Sequence, residues 1–507
     1  MNKPETILDL LQAGAAGAPA IGGEQGDSVT YEGLRALSGR TAARLADCGI
    51  GRGGRVAIVL PNGPEMAAAF VALAGCATTA PLNPAYRAEE FRFYLSDLRA
   101  DALIVERDME SPARAVAAEL SLPVIELMPD ATGPAGAFTL FGTGGKSAAD
   151  TSAPGPDDIA LILHTSGTTS RPKIVPLTQR NICTSARNIA ETLALKPADR
   201  CLNVMPLFHI HGLIGAVLSS LAAGASVWCA PGFNALRFFG WMTEAAPSWY
   251  SAVPTMHQAV LSRAGRNRAA IAEAALRFIR SSSSSLPPQV MAALEETFGC
   301  PVIESYGMTE AAHQMASNPL PPAARKPGTV GVAAGPEIAV LDGANRPVHA
   351  GTIGEVCIRG ANVTPGYEAN PEANAEAFAG GWFHTGDQGT LDGDGYLTIT
   401  GRLKEIINRG GEKISPREVD EVLLDHPTVA QAVTFALPHD KLGEEVAAAV
   451  VPAGDSSVDE RALRDFAAQR LADFKVPRRI VVLEEIPKGA TGKVQRIGLH
   501  EKLANIL

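Results

Sequence analysis

The residues best equipped for chemistry stand together in His164-Thr165-Ser166-Gly167-Thr168-Thr169-Ser170-Arg171-Pro172-Lys173, directly after the apolar run Ile159-Ala160-Leu161-Ile162-Leu163. A buried strand that opens into a hydroxyl- and Gly-rich loop ending in Lys offers backbone N–H groups, hydroxyl donors and a cation, the set that a polyphosphate needs. The loop is not of the Walker A type, because the second Gly is missing and Ile174 follows Lys173 where Ser or Thr belongs. Gly145-Lys146-Ser147 is nearer in wording, but Leu140 stands where the first Gly should be. By itself the 165–173 loop is also compatible with a plain Ser/Thr-rich turn.

Further segments follow in order: Pro206-Leu207-Phe208-His209, Tyr306-Gly307-Met308-Thr309-Glu310, Gly354-Glu355, Trp382-Phe383-His384-Thr385-Gly386-Asp387, Gly401-Arg402-Leu403-Lys404-Glu405 and Pro487-Lys488-Gly489-Ala490-Thr491-Gly492-Lys493. Each is moderately specific, and the ordered set, spread over nearly the whole chain, resembles the adenylate-forming superfamily of acyl-CoA synthetases, adenylation domains and luciferases. The resemblance implies an AMP-forming ligase that uses ATP, Mg²⁺ and coenzyme A. A carboxylate is a poor electrophile, so it is first joined to AMP with loss of pyrophosphate, and a thiol then displaces AMP. Both transition states gather negative charge, which cations must stabilise.

By the same resemblance, Thr165, Ser166, Gly167, Thr168, Thr169 and Lys173 hold the β- and γ-phosphates, and Glu310 binds Mg²⁺ with Thr309 near the α-phosphate. Tyr306 stacks on adenine, with Glu304, Ser305 and Gly307 beside it in the nucleotide site. Asp387 accepts the ribose hydroxyls, assisted by Arg402. Lys493 reaches the carboxylate oxygen and the α-phosphate. Lys404 is the hinge about which a C-terminal domain swings, exchanging the Lys493 loop for the Asn408-Arg409-Gly410-Gly411-Glu412 segment. Taken singly, Asp387 after Gly386 reads as an Asx turn and Lys493 as a solvated lysine; membership of the ordered set outweighs those readings.

The acid is read from the positions that line the pocket. Fatty-acyl and aryl ligases build it from Gly, Ala and apolar side chains, whereas this chain has Arg280-Ser281-Ser282-Ser283-Ser284-Ser285-Leu286, His209-Ile210-His211 and Ala311-Ala312-His313. Hydroxyls and imidazoles suit a short, highly polar acid whose second carboxylate needs donors once it is desolvated. The expected contacts are Ser283 and His313, with His209 or His211 closing the pocket. Thr169-Ser170-Arg171-Pro172-Lys173, Phe208-His209-Ile210-His211-Gly212-Leu213, residues 249–257, Glu310 to Met315 with Ser317-Asn318-Pro319-Leu320, and residues 408–416 are most similar to the oxalate–CoA ligases. Malonate and glycolate stay open as alternatives. A basic residue in the pocket would favour malonate, and none is evident. A zinc site at His209-x-His211 lacks a third ligand nearby, and for single histidines such as His211 or His257 a satisfied core position is the commoner state. A non-catalytic adenylate- or CoA-binding homologue has no need of Lys493.

These residues must be positioned by a large scaffold. A chain of 507 residues exceeds one ordinary core, and the pattern predicts an α/β protein. Residues 1–402 are expected to form an N-terminal domain with two helix-flanked sheets and a β-rich subdomain, adenylate-forming by the resemblance, and residues 403–507 a small α/β C-terminal domain that the resemblance makes mobile. Helix-like Tyr31 to Asp47 alternates with apolar runs such as Val56 to Leu60, the rhythm of a parallel sheet. Residues 128–158, rich in Gly, Pro, Ala, Ser and Thr, read as a surface connection, with a second α/β region from Ile159 to about Gln314. Short alternating strands and tight turns occupy residues 326–400. The net charge of −10 argues against nucleic acid or an anionic membrane as the main partner. Seven scattered cysteines without a CxxC pair read as reduced structural thiols. No signal-peptide pattern opens the chain, and the apolar stretch near Met66 to Cys76 is too short to span a bilayer and reads as a buried helix, so a cytoplasmic enzyme is expected. The sequence leaves oligomeric state open.

Overall fold

The computed structural model describes residues 3–24, 26–142, 149–165, 172–454, 456–487 and 496–506. The chain forms two compact units: one holds most of the residues up to Glu337 together with Arg359–Glu376, the other Ile338–Ile358 and Ala377–Leu507.

Two sheets build the first unit. In the seven-stranded sheet the order is Phe138–Phe141, Val124–Pro129, Ala102–Glu106, Arg55–Val59, Thr78–Pro81, Ile159–His164 and Ile174–Thr178. Its inner strands pair in parallel and its two edge strands antiparallel. Val56 to Val59 and Ala102 to Val105 are wholly buried, as expected where both faces of a parallel sheet are covered. The nine-stranded sheet runs Val332–Ala333, His313–Ser317, Val302–Met308, Phe278–Ser281, Trp249–Ala252, Arg200–Asn203, Ser226–Cys229, Pro19–Gly22 and Val29–Thr30.

Sheet membership does not follow chain order. Ile159–His164, which opens the second α/β region of the sequence, pairs with Thr78–Pro81 and completes the first sheet. Pro19–Gly22, from the start of the chain, pairs in parallel with Ser226–Cys229 in the second. The featureless connection expected over residues 128–158 is corrected in part: Phe138–Phe141 folds back antiparallel on Val124–Pro129 as an edge strand. Four residues amid Gly, Pro and Thr are too few for a period to emerge.

The helix Pro64–Ala74 shows why the two sheets belong to one core. Pro64 occupies its first turn, where a missing N–H costs nothing, and Met66 to Ala74 are buried on every side. It packs against Thr78–Pro81 of one sheet and against Pro19–Gly22 and Ser226–Cys229 of the other. A helix apolar all round must be covered all round, and its alanines let both sheets approach. Among the described residues no helix is long and apolar enough to cross a membrane. The seven cysteines are free thiols.

The second unit contains a four-stranded sheet, Glu337–Leu341, Gly354–Arg359, Phe383–Leu391 and Leu397–Arg402. It also contains a five-stranded sheet ordered Glu412–Ile414, Ile407–Arg409, Gly443–Pro452, Val429–His439, with Arg479–Val482 parallel to Gly443–Pro452. The helices Pro416–Leu424 and Glu460–Ala468 close a core of Ile407, Ile414, Val419, Leu423, Val446, Val450 and Leu463. Phe70 is fully buried in the helix between the two large sheets. Phe70→Ala should destabilise the first unit by about 3–5 kcal/mol, read as a fall in the midpoint of its urea transition.

Candidate active site

The phosphate-loop sequence begins where the Ile159–His164 strand ends. Thr165 N–H donates to the Lys173 carbonyl at 3.0 Å and Lys173 N–H donates to Thr165 Oγ1 at 3.4 Å, so the two ends of the loop are tied to each other. His164, paired across the ladder with Ile174, is held by Asp97 at 3.0 Å. Ser166, Gly167, Thr168 and Thr169 lie outside the described residues. Lys173 Nζ sits 4.4 Å over the ring of Tyr367. The Tyr367 hydroxyl in turn donates to Glu310 Oε1 at 2.9 Å. Burial, and then the Glu310 charge, push the Tyr367 phenol well above its ordinary range, so it stays a donor. Tyr367 carried no signal in the sequence, because its link to Lys173 and Glu310 exists only in three dimensions.

Glu310 lies in a single turn, Thr309–Ala311, between the antiparallel strands Val302–Met308 and His313–Ser317. Its carbonyl accepts from Thr364 N–H at 2.7 Å. Val302–Met308 is buried at first and half-buried from Tyr306 on, so Tyr306, Gly307 and Thr309 stand at the carboxyl end of a parallel strand, where ligands of α/β sheets bind. A Cβ on Gly307 would lie 1.7 Å from the His313 carbonyl oxygen, so only glycine fits there. Glu304 and Ser305 are buried, and they brace the neighbouring loop: Glu304 Oε1 accepts from Leu286 N–H at 2.9 Å, and Ser305 Oγ donates to the Ser281 carbonyl at 3.3 Å.

The residues expected to contact the acid do converge. His211 is fully buried at the start of the π-helical stretch His211–Leu218, a form common at functional sites. Its Nδ1 is 3.0 Å from Ser283 Oγ, its Nε2 is 2.6 Å from Ser251 Oγ, and its ring stacks on His313 at 4.9 Å between centroids. A Cβ on Gly215 would come within 2.6 Å of His313 Nε2 and 3.2 Å of His211 Cδ2; the stacked pair therefore depends on that glycine. His209 is half-buried, with Nδ1 accepting from His211 N–H at 3.3 Å. Ser283, Ala312 and His313 have φ of 73°, 48° and 106°, and non-glycine residues held in such conformations gather at functional sites.

Two expectations are corrected here. Only Ser283 of the serine run joins the histidines; Ser281 and Ser282 are buried at the strand end, and Ser284 and Ser285 are exposed. A basic residue lies behind the histidines: Arg280, fully buried, donates from Nη1 to His313 Nε2 at 3.0 Å and from Nη2 to Gln314 Oε1 at 3.2 Å. It was hidden because the side chain of a strand residue meets whatever the adjoining strands supply. His257, by contrast, is a core histidine, its Nδ1 3.2 Å from the Tyr250 hydroxyl.

In the second unit Asp387 and Arg402 face each other across adjacent strands, Arg402 Nε donating to Asp387 Oδ1 at 3.0 Å. Asp387 is almost wholly buried and Arg402 half-exposed. Gly386, at φ 73°, turns the chain into Asp387, and its N–H donates to Glu355 Oε1 at 3.0 Å. Glu355, Cys357 and His384 cluster nearby, but the His384 ring is already engaged by Glu355 at 2.8 Å and the Ala379 carbonyl at 3.1 Å, which accounts for the grouping without an ion. Lys404 is exposed. Lys493 lies outside the described residues. Arg496, three positions later, is held by Asp420 at 2.6 Å, Glu405 at 3.3 Å and the Thr434 carbonyl at 3.0 Å.

Comparison with known proteins places the chain among relatives of one family. Residues 12–368 match the family model described as AMP-binding enzyme, and residues 418–493 the AMP-binding enzyme C-terminal domain. An oxalate–CoA ligase of Arabidopsis thaliana is 47% identical over 479 residues, 92% of either chain. An oxalate–CoA ligase of Saccharomyces cerevisiae is 42% identical over 474 residues, 89% of this chain and 87% of the relative. The crystal structure of ATP-bound MatB from Rhodopseudomonas palustris aligns with a TM-score of 0.88 at 29% identity, over 99% of both chains.

Burial lowers the His257 imidazole to about 3. The unfolded chain, with histidine near 6.5, then binds more protons between those values, so this residue's contribution to stability is present above pH 6.5 and is lost as the pH falls toward 3. His257→Gln should flatten the fall of the urea midpoint between pH 6.5 and 4.5.

Proposed function

The chain belongs to the AMP-binding enzyme family and is an AMP-forming acid–CoA ligase, and we propose that its acid is oxalate. The observation that carries this reading is the enclosed cluster of His211, Ser251, Ser283 and His313. A pocket closed by hydroxyls and imidazoles binds an acid that supplies oxygens for them; an alkyl chain would leave buried donors unpaired, which costs far more than a lost apolar contact. His313, Ser283 and His211 hold the second carboxylate, and His209 closes the wall. Arg280 ends its hydrogen bonds on His313 and Gln314, so it stands behind those side chains.

In the first step an oxygen of the other carboxylate attacks the α-phosphate of ATP, the bond to the bridging oxygen breaks, and pyrophosphate leaves. In the second, the CoA sulfur attacks the acyl carbonyl and AMP leaves. Thr165 to Thr169 and Lys173 cradle the leaving phosphates. Glu310 suits Mg²⁺: a buried carboxylate with one oxygen already oriented by Tyr367 matches the habit of this ion, which takes one or two carboxylates and completes its shell with phosphate oxygens and water. When bound, the ion would neutralise part of the polyphosphate charge. Thr309 lies beside the α-phosphate. Tyr306 and Gly307 line the adenine side, and Glu304 and Ser305 keep that wall in place. Asp387, fixed by Arg402, accepts from the ribose hydroxyls. Lys493 meets the charge that develops between carboxylate and phosphate. Residues 403–507 move as a body about Lys404, so that one site serves both steps.

Purified protein with ATP, a magnesium salt and CoA should release pyrophosphate faster with oxalate than with malonate, glycolate, acetate or a medium-chain fatty acid. Preference for any other acid of that panel would end the oxalate reading. Lys493→Ala should slow adenylation by about 10²–10⁴-fold, measured as acid-dependent pyrophosphate release in a single turnover; a variant as fast as the parent would remove Lys493 from the mechanism. Gly215→Ala, which displaces His313, should lower oxalate turnover by about tenfold or more, equivalent to about 1.4 kcal/mol, with ATP binding unchanged by calorimetry.

A further inference from the structure

Arg280 is a buried cation without an acid. Among the described residues its hydrogen bonds go to two uncharged groups, His313 Nε2 and Gln314 Oε1, and its Nε has no partner. Arg496 and Arg409, also drawn inward, show what this chain does elsewhere: the first is paired with Asp420 and Glu405, the second with Glu445. A charge taken out of water without a counter-charge destabilises the fold, and burial lowers the Arg280 guanidinium to about 10, a value at which it is still charged at neutral pH. Position adds meaning to the cost. Arg280 is in register with Ser251 across neighbouring strands, and Ser251 carries the hydrogen bond to His211 Nε2, so both strands present these groups to the histidine cluster.

Because a guanidinium only donates, its 3.0 Å bond to His313 requires Nε2 to accept. The ring is then neutral with its proton on Nδ1, and a second proton on Nε2 is opposed by the cation behind it. Gly215, where a Cβ would fall 2.6 Å from that same Nε2, keeps the ring in reach. The pocket thus holds a fixed tautomer backed by a positive charge that none of the described residues neutralises.

We infer that Arg280 is the positioning residue that makes the pocket select a doubly charged acid, holding His313 as the Nδ1–H tautomer and supplying through it the charge that the second carboxylate balances. This rests on the reading that His313 faces that carboxylate. A singly charged acid of equal size leaves the Arg280 charge uncompensated and binds more weakly.

Three variants test it: Arg280→Met removes the charge, Arg280→Lys keeps it, and Gln314→Glu leaves Arg280 in place while giving it a carboxylate. For each, KM and kcat are measured for oxalate and for glyoxylate, which shares the two-carbon skeleton with one charge fewer, using the competitive Ki where an acid is not turned over. Arg280→Met and Gln314→Glu should raise the oxalate KM at least tenfold, against less than about threefold for glyoxylate and for ATP, while Arg280→Lys stays nearer the parent. Equal losses for both acids, or a fall in kcat alone, would make Arg280 a merely structural residue. Gln314→Glu decides the matter if Arg280→Met does not fold; unchanged oxalate selectivity in Gln314→Glu would overturn the inference. If the parent enzyme prefers another diacid, the oxalate reading fails separately, and the same variants are scored on that diacid against its monoacid analogue.

Discussion

The active site turns on one close approach of backbone to backbone. Val302–Met308 and His313–Ser317 form a hairpin in which Gly307 pairs with Gln314 and Met308 with His313. The His313 carbonyl comes so near Gly307 that no side chain fits between them. That contact sets the spacing of everything on either side. Tyr306 and Glu310, which we propose serve the nucleotide, and His313, which we propose serves the acid, belong to this one hairpin and its turn. Any added volume at Gly307 would push the two strands of the hairpin apart. Glycine is required there by lack of space, which is a different reason from the positive φ that selects it at Gly386.

Around the hairpin the chain arranges charge in two contrasting ways. At the proposed phosphate site, Lys173, the Tyr367 ring and the Glu310 carboxylate form a graded sequence of cation, aromatic ring, phenol and anion, each member partly satisfying the next. At the proposed acid pocket, Arg280 is left with neutral partners and two imidazoles are stacked in front of it. A site whose ligand carries several negative charges is built with a surplus of positive character, and the interaction is strong because water is excluded. The unfavourable backbone at Ser283, Ala312 and His313 is of the same kind: local stability is given up so that side chains point where the chemistry needs them.

Much of this was legible in the sequence. The helix over Tyr31–Asp47, the buried helix Pro64–Ala74 and the apolar strands Arg55–Val59, Ile159–His164 and Ser226–Cys229 all follow from local period and composition. The convergence of His211, Ser283 and His313, read from residue type and family resemblance, is seen in the structure. The edge strand Phe138–Phe141 was missed, being short and set among turn residues. Tyr367, Ser251, Gly215 and Arg280 were missed for a deeper reason: each matters through a partner that is distant in the chain.

What the sequence by itself determined is therefore the kind of chemistry, through residue types in a fixed order, and the local elements, through periods that neighbouring residues establish among themselves. Only the tertiary structure decided which sheet each strand joins, that Ile159–His164 completes a sheet begun a hundred residues earlier, and that the Arg280 guanidinium ends against the His313 imidazole. The physical reason is that hydrogen bonds and charges act over a few ångströms in space, and which groups come within that range depends on how strands pair across the chain. Periodicity places a side chain on a face of its strand, while the neighbour supplies what that side chain meets.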